Sequence, residues 1–399
     1  MAFQAISREI DYPATQYPQE MSLDIEVYES LDAARADWQE LECRAIYTPY
    51  QRFDWISAYL QAGFLANGCL RIIVFRDHGK PVALLPLSIV RQQGVMQGRI
   101  IGMPISNADS LIFDPAYVND ITPNLLRKAF SGLRAAGQPL DLVSFHSLLK
   151  DWRGVANPLL GFSHAPAPNN FYFETFPQGD APFIEQSFPH KRRTNIRRST
   201  RRLTEAFGPL SVRLASSEEE VDRFHAAFLE QRGARFAKMG VENVFARPQF
   251  QTLFLSLAKQ GLGATHPMLH YHALFAGEDI LATSLGVYAK GHYSQYINST
   301  TVGEASKYSL MGVLLSMLVD ELRADGIAVF DMGLGDFDYK TDWTQPAVVY
   351  DSLIPVSPLG SLAVPVLSGA RKLKRTIKQT PALWKIARAV QALKTRLRS

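Results

Sequence analysis

The chain is predicted to be an α/β protein with mixed sheets, built from two similar modules in tandem and followed by a basic helix. Three observations predict this. The order of elements read along 22–180 is strand, helix, helix, two strands, an irregular strand, helix, strand; along 181–368 it returns as strand, two helices, three strands, helix, strand. A stretch rich in Pro, Asn and Ala at 156–170 falls between them as a seam. Finally, 399 residues are more than one ordinary core organises.

Residues 1–21 are polar, broken at Tyr12-Pro13 and Tyr17-Pro18, and read as a flexible leader without the apolar centre of a signal peptide. A strand at 25–28 leads into helical patterns at 31–45 and 53–66. Strands at 71–75 and 82–89 join through His78-Gly79-Lys80, a hairpin-like turn, and 100–114 is irregular but strand-like. Thr122 and Pro123 open the next helix, the hydroxyl capping free N–H groups and the proline taking the first helical position. That helix runs to about residue 136, stops at Gly137, and leads into a strand at 140–145.

The second module has a strand at 171–176 before it and a basic helical region at 183–207, closed by Gly208-Pro209. A strand at 210–214 precedes the capping box Ser217-Glu218-Glu219-Glu220, which opens a helix to Arg232. Pro248 starts another helix, to residue 259. Strands at 269–275, 280–288 and 292–298 form an antiparallel meander turning at Gly277 and Lys290-Gly291. A helix at 309–323, a strand at 328–331 and a last strand at 348–355 follow.

Composition narrows the class. Apolar residues make up 47% and charged residues 20%, a globular balance. Cys43 and Cys69 suffice for neither a disulfide framework nor a zinc cluster, so a reducing, cytoplasmic setting is the default. No apolar run reaches the roughly 18 residues of a membrane-spanning helix. The net charge of +4 hides an asymmetry: ten cations and no acid follow Asp351, which leaves residues 1–351 at −6. Within 369–399, Leu383, Ile386, Val390, Leu393 and Leu397 keep helical spacing beside Trp384. A basic amphipathic helix of that kind suits an anionic inner-membrane surface through 371–399; docking on its own domain or on a partner suits it equally.

The residues 330–343, F-D-M-G-L-G-D-F-D-Y-K-T-D-W, are the most distinctive stretch. With Leu84-Leu85-Pro86-Leu87, the basic run at 190–198, Phe224-His225, Gln231-Arg232 and Lys307-Tyr308-Ser309, it resembles the GNAT superfamily of N-acetyltransferases. Within it the likeness is to CelD/BcsL-type proteins of cellulose and exopolysaccharide synthesis, with the related Fem-type aminoacyl transferases as the alternative. The resemblance implies acyl transfer from acetyl-CoA to an amine or hydroxyl, by a degenerate first module and an active second one. A non-catalytic scaffold in a polysaccharide-synthase complex is the reading from outside enzymology.

The resemblance also places roles. The helix start at 309–312 would face the coenzyme A diphosphate, with Ser306, Lys307, Ser309 and Gly312 around it, since unpaired N–H groups and the helix dipole attract anions. Here Ser309-Leu310-Met311-Gly312 stands where relatives carry a more glycine-rich loop. Lys340, in an aromatic-Lys-x-x-aromatic motif, suits stabilisation of a developing oxyanion, because a lysine with an ordinary pKa of about 10.4 is a cation at neutral pH. Asp336 is the candidate base and His225 its alternative. Tyr339 and Trp343 would wall the cleft. Arg193, Arg197 and Arg201 share one side of the basic helix and could fork onto a phosphate-bearing or saccharide acceptor. That helix lacks interleaved aromatics and the body is acidic, so DNA is not expected. His270 and His272 share a strand face without a carboxylate or cysteine, which argues against a metal.

Overall fold

Capping chemistry sets many of the element ends. Thr122 Oγ1 accepts from Leu125 N at 3.2 Å and Ser217 Oγ from Glu220 N at 3.3 Å, while Glu220 reaches back to Ser216 N. Both starts were legible as caps. Gly208, at φ 96°, ends the basic helix where an L side chain would be strained.

The computed structural model describes residues 23–65, 67–240, 242–385 and 387. The expected leader at 1–21 lies outside them, as do Ile386, Val390, Leu393 and Leu397. The first module holds β1 (Asp24–Tyr28), α1 (Leu31–Arg44), α2 (Phe53–Gln61), β2 (Cys69–Asp77), β3 (Lys80–Gln92), β4 (Val95–Ile100), β5 (Ile112–Phe113), α3 (Pro123–Ala135) and β6 (Leu142–Leu148). The hairpin β7 (Asp151–Trp152) and β8 (Val155–Ala156) leads to β9 (His164–Thr175). Then come α4 (Phe183–Ser187), α5 (His190–Phe207), β10 (Leu210–Leu214), α6 (Glu218–Met239), α7 (Pro248–Gln260), β11 (Leu269–Ala276), β12 (Asp279–Ala289) and β13 (His292–Thr300). The chain continues through α8 (Leu310–Ala324), β14 (Val329–Leu334), β15 (Gln345–Pro355) and α9 (Pro358–Gln379).

All but β7 and β8 join one sheet, in the order β1-β2-β3-β4-β6-β15-β9-β14-β13-β12-β11-β10, with β5 on β3. Each half repeats the same pattern, an antiparallel set followed by one parallel pair. The parallel pairs are short: Gln97–Arg99 meets Leu142–Ser144, and His292–Ser294 meets Val329–Asp331. The halves exchange their last strands. β9 follows the first module but pairs with β14 of the second, whereas β15 follows the second and pairs with β6 of the first. β9 and β15 then pair with each other and close the sheet.

This exchange explains the differences from the sequence reading. The stretch 156–170, expected as a seam, enters β9 at His164, because its role is to cross into the other half's sheet. β4 was not expected; its Gly98 leaves room for Leu140, a close approach that breaks strand-like patterning. The basic region divides at Pro189 into α4 and α5. The last helix begins at Pro358, eleven residues before the expected tail.

A shared core runs across the halves on one side of the sheet. It packs Trp38, Tyr50 and Trp55 from the first with Phe224, Phe254 and Tyr271 from the second. Trp55 meets Tyr296 edge to face at 5.6 Å, and Phe64 meets Phe250 at 5.2 Å. Separate clusters lie under α3 and under α5 and α8.

A buried polar chain also crosses the junction. Asn107 Nδ2 donates to Tyr50 Oη at 2.8 Å, and Tyr50 Oη lies 2.8 Å from Ser294 Oγ. Ser294 Oγ donates to Asp331 Oδ1 at 2.7 Å, Gly333 N to the same oxygen at 2.7 Å, and His292 Nε2 sits 2.6 Å from Oδ2. Asp331 is fully buried, so these bonds replace its entire hydration. Tyr50→Phe should lower stability by about 1–3 kcal/mol, since it leaves Asn107 and Ser294 with a missing partner; urea unfolding measures it. At the other end, a Cβ on Gly360 would collide with the Asp141 carbonyl oxygen. Gly360→Ala is expected to lower the urea midpoint by the equivalent of about 1–3 kcal/mol, the cost of overpacking, and an unchanged midpoint would show that α9 does not seat there.

Candidate active site

The loop after β14 is positioned by two glycines in the left-handed region. At Gly333, φ 64°, a Cβ would lie 2.6 Å from Asn107 Nδ2, so the loop leaves the sheet pressed against the first module. Successive turns follow: Lys340 N donates to Phe337 O, then Trp343 N and Thr344 N to Lys340 O, each at 2.9 Å.

Lys340 is only 4% exposed. Its Nζ turns inward and donates to Leu334 O at 2.7 Å, within 5.5 Å of the Tyr172 and Phe337 ring centres. Burial pulls its pKa down to about 8, against the opposing charges of Asp331 and Asp336. It remains mostly a cation at neutral pH. Asp336 lies exposed at the rim and accepts three bonds: from Asn170 Nδ2 and Tyr172 Oη at Oδ1, and from Gln379 Nε2 at Oδ2, all at 2.9 Å. The carboxylate expected as base thus also ties β9 and α9 to the loop.

The aromatic residues divide. Phe337 and Tyr339 are exposed, with ring centres 6.1 Å apart, and form an open platform. Trp343 is a correction: it does not wall a cleft but is buried, 4.8 Å from Phe188 and stacked on Phe183 at 6.3 Å. Its place follows from Phe183 of α4 and Phe188 just after it, whose rings pack against it. Above it Arg192 lies 4.6 Å from the Phe188 ring centre and pairs with Asp342, which fastens α5 to the loop.

Ser309, φ 38°, precedes α8 without a side-chain cap, and its hydroxyl lies close to Gly312. Ser306, Lys307 and Ser309 are exposed there. The uncapped first turn leaves backbone N–H groups available to an anion. Lys307, however, pairs with Glu304, so a bound diphosphate has to compete for it. Gly312 packs near Ile196 of α5, which places the basic helix beside this start.

Of the three arginines on α5, Arg193 and Arg197 converge on Glu185, at 3.8 and 2.5 Å, and Arg201 faces Glu205 at 3.6 Å. The row is therefore partly neutralised within the protein. His225 lies apart from the loop, in the core between α6 and β11. Its Nδ1 is 3.2 Å from Tyr271 Oη, and burial holds its pKa down to about 4. A buried, neutral imidazole packed on Phe228 belongs to the core.

Arg232 was passed over as a site residue. Burial lowers its pKa to about 10, and neighbouring Arg235 acts in the same direction. Its Nη1 donates to Asn298 O at 3.1 Å, its Nε has no partner, and among the described residues it has no carboxylate in ion-pair range. Phe236 and Phe245 flank it at 4.9 and 5.1 Å. Desolvation of its oxygen raises the Tyr339 phenol although the ring stays partly exposed, and the charges of Arg235 and Arg232 act against that rise. The signal that could have found Arg232 is its spacing, since it follows Phe224 and Phe228 at four-residue steps along the buried side of α6. Asn170, Tyr172 and Gln379 were missed because they reach the loop from β9 and α9.

Two cavities lie away from the loop. An open groove of about 620 Å³ runs between 176–182 and 320–328, and a smaller space of about 150 Å³ lies beside His292 and Trp152. Among the described residues no group of three or more His, Cys, Asp and Glu could hold a metal.

Residues 190–341 match the family model of the acetyltransferase (GNAT) domain, from α5 through the Lys340 loop. No curated protein matches the chain. Among solved structures, FemX is similar over 85% of this chain and 99% of its own, at 12% identity and a TM-score of 0.59. A conserved protein of unknown function from Bacteroides thetaiotaomicron is similar over 84% of this chain and 100% of its own, at 10% identity and a TM-score of 0.52. Such identities speak for the fold alone, here a mixed α/β sheet of two similar halves, the second of which carries the acetyltransferase (GNAT) domain match.

The buried Lys340 makes stability depend on pH. Below about pH 8 its ammonium is charged in both folded and unfolded chains, so its burial cost is constant. Between there and the ordinary lysine pKa of about 10.4 the unfolded chain holds the extra proton, and stability rises with pH. Unfolding of wild type and Lys340→Met should therefore diverge in the wild type's favour above pH 8, by on the order of 3 kcal/mol at the end of that window. A pH-independent difference in urea midpoints would contradict the buried, depressed lysine.

Proposed function

We propose that the chain transfers an acyl group, acetyl in the simplest case, from a coenzyme A thioester to an amine or hydroxyl of a saccharide or envelope precursor. Exopolysaccharide or cellulose synthesis in bacteria is the setting that the resemblance suggests. The observation that carries the reading is the acetyltransferase-domain match across 190–341, which spans the α8 start, the short β13–β14 pair and the Lys340 loop together.

Coenzyme A would supply an activated thioester. Ser306, Lys307, Ser309 and Gly312 at the α8 start would hold its diphosphate, and the exposed uncapped turn fits that group. Asp336, at the rim, is the carboxylate that would take the proton from an incoming amine or hydroxyl, its bond from Gln379 yielding as it does so. Lys340, charged below about pH 8, opposes negative charge that develops near the end of β14. Phe337 and Tyr339 offer flat faces to a sugar ring, and Arg232 with Arg235 offers positive charge to an acidic or phosphate-bearing acceptor. Arg193, Arg197 and Arg201 would serve only by exchanging Glu185 and Glu205 for the acceptor.

Aminoacyl transfer from aminoacyl-tRNA is the second reading. The fold similarity to FemX supports it, as does the pairing of Lys307 with Glu304 at the donor end. Titration of acetyl-CoA and of aminoacyl-tRNA into the full chain, with Lys340→Ala alongside, separates the two. Acetyl-CoA binding, and turnover that declines above about pH 8, is expected. Binding of aminoacyl-tRNA alone would favour the second reading, and a chain that binds neither donor would be a scaffold.

A further inference from the structure

We propose that the outward face of α9 is a docking surface for an anionic lipid bilayer. A helix lying on a protein ordinarily buries its apolar stripe and turns its cations to water. α9 departs from this: three of its cations bond to the protein while part of its apolar side faces outward. Arg371 Nη2 donates to Ser144 Oγ at 2.7 Å, Arg375 to the Ala167 carbonyl, and Lys378 Nζ to Asn169 Oδ1 at 2.7 Å. Gln379 adds a bond to Pro168 O at 3.2 Å. With these side chains bonded to the protein, the helix leaves Leu359, Leu362, Val366 and Leu373 exposed by 50%, 74%, 72% and 61%. These positions, three, four and seven residues apart, fall on one side of the helix. At about 1.5 Å per residue they make a stripe roughly 20 Å long.

Charge selects the partner. Lys372 and Lys374 are exposed beside Leu373, and the ten cations after Asp351 have no acid among them. A second copy would bring two such cationic faces together with nothing to offset them. A bilayer rich in anionic headgroups accepts both halves of the face, apolar side chains into the acyl boundary and lysines at the headgroups. The remainder of the chain, at −6, is repelled by the same surface, so α9 is the side that turns to it. No described helix is long and apolar enough to cross a membrane, which makes this a surface contact. It overlaps the membrane contact expected at 371–399 but extends it to residues 359–366, ahead of the seam at 383–397, of which Leu383 is 40% exposed. The inference does not rest on the proposed reaction.

Co-sedimentation of the full chain with phosphatidylcholine vesicles, with and without phosphatidylglycerol, tests it. Binding is expected only with the anionic lipid, and should weaken as salt screens the lysines. The double variant Leu362→Glu, Val366→Glu should lose binding at least about tenfold while its thermal melt stays unchanged, because both positions are exposed. Wild type that ignores anionic vesicles, or a variant that binds as wild type does, overturns the proposal. So does light scattering that shows a wild-type dimer dissociated by the variant, which would make the stripe a self-association face.

Discussion

The pairing of β9 with β15 is the constraint on which the rest of the molecule depends. Each strand belongs by sequence to one half and by hydrogen bonding to the other. Without that exchange, β6 and β14 would each present an unpaired edge at the middle of the molecule, a template for pairing with other chains. With it, two halves become one sheet, and their helices share one core over the junction.

The same junction sets the electrostatics of the candidate site. Asp331 is fully buried and its hydrogen bonds are spent on Ser294, His292 and Gly333, so its carboxyl is held in one orientation. Lys340 answers it from the loop without forming an ion pair, its ammonium held on backbone carbonyls. Most other cations near the loop have carboxylates: Arg192 has Asp342, and Arg193 and Arg197 share Glu185. Arg232 differs, because among the described residues it meets the Asn298 carbonyl and no carboxylate. A half-buried guanidinium is costly without a counterion, and that cost is what a bound anion would relieve.

Much of the architecture was legible because local rules wrote it. The caps at Thr122 and Ser217, the hairpin turn at His78-Gly79 and the meander of β11 to β13 depend on neighbours in sequence. What escaped was non-local. Strand exchange leaves no periodic trace in 156–170, and a helix cannot announce that its leucines will face outward while its arginines seek Ser144 and Ala167. The loop around Lys340 was found from its composition, yet the fate of each ring was not. Trp343 and Tyr339 look alike in sequence, and only Phe183 and Phe188, brought in from α4 and its end, decide that one is core and the other surface.

The exchanged strands also bear on synthesis. Ser147, at the end of β6, waits for Asp351 of β15, which emerges 204 residues later. At roughly 5–20 residues per second, translation leaves the first half without its neighbouring strand for some tens of seconds. During that interval β6 is an open edge on a nascent chain. The order of emergence, more than the final stability, sets how long that edge stays open.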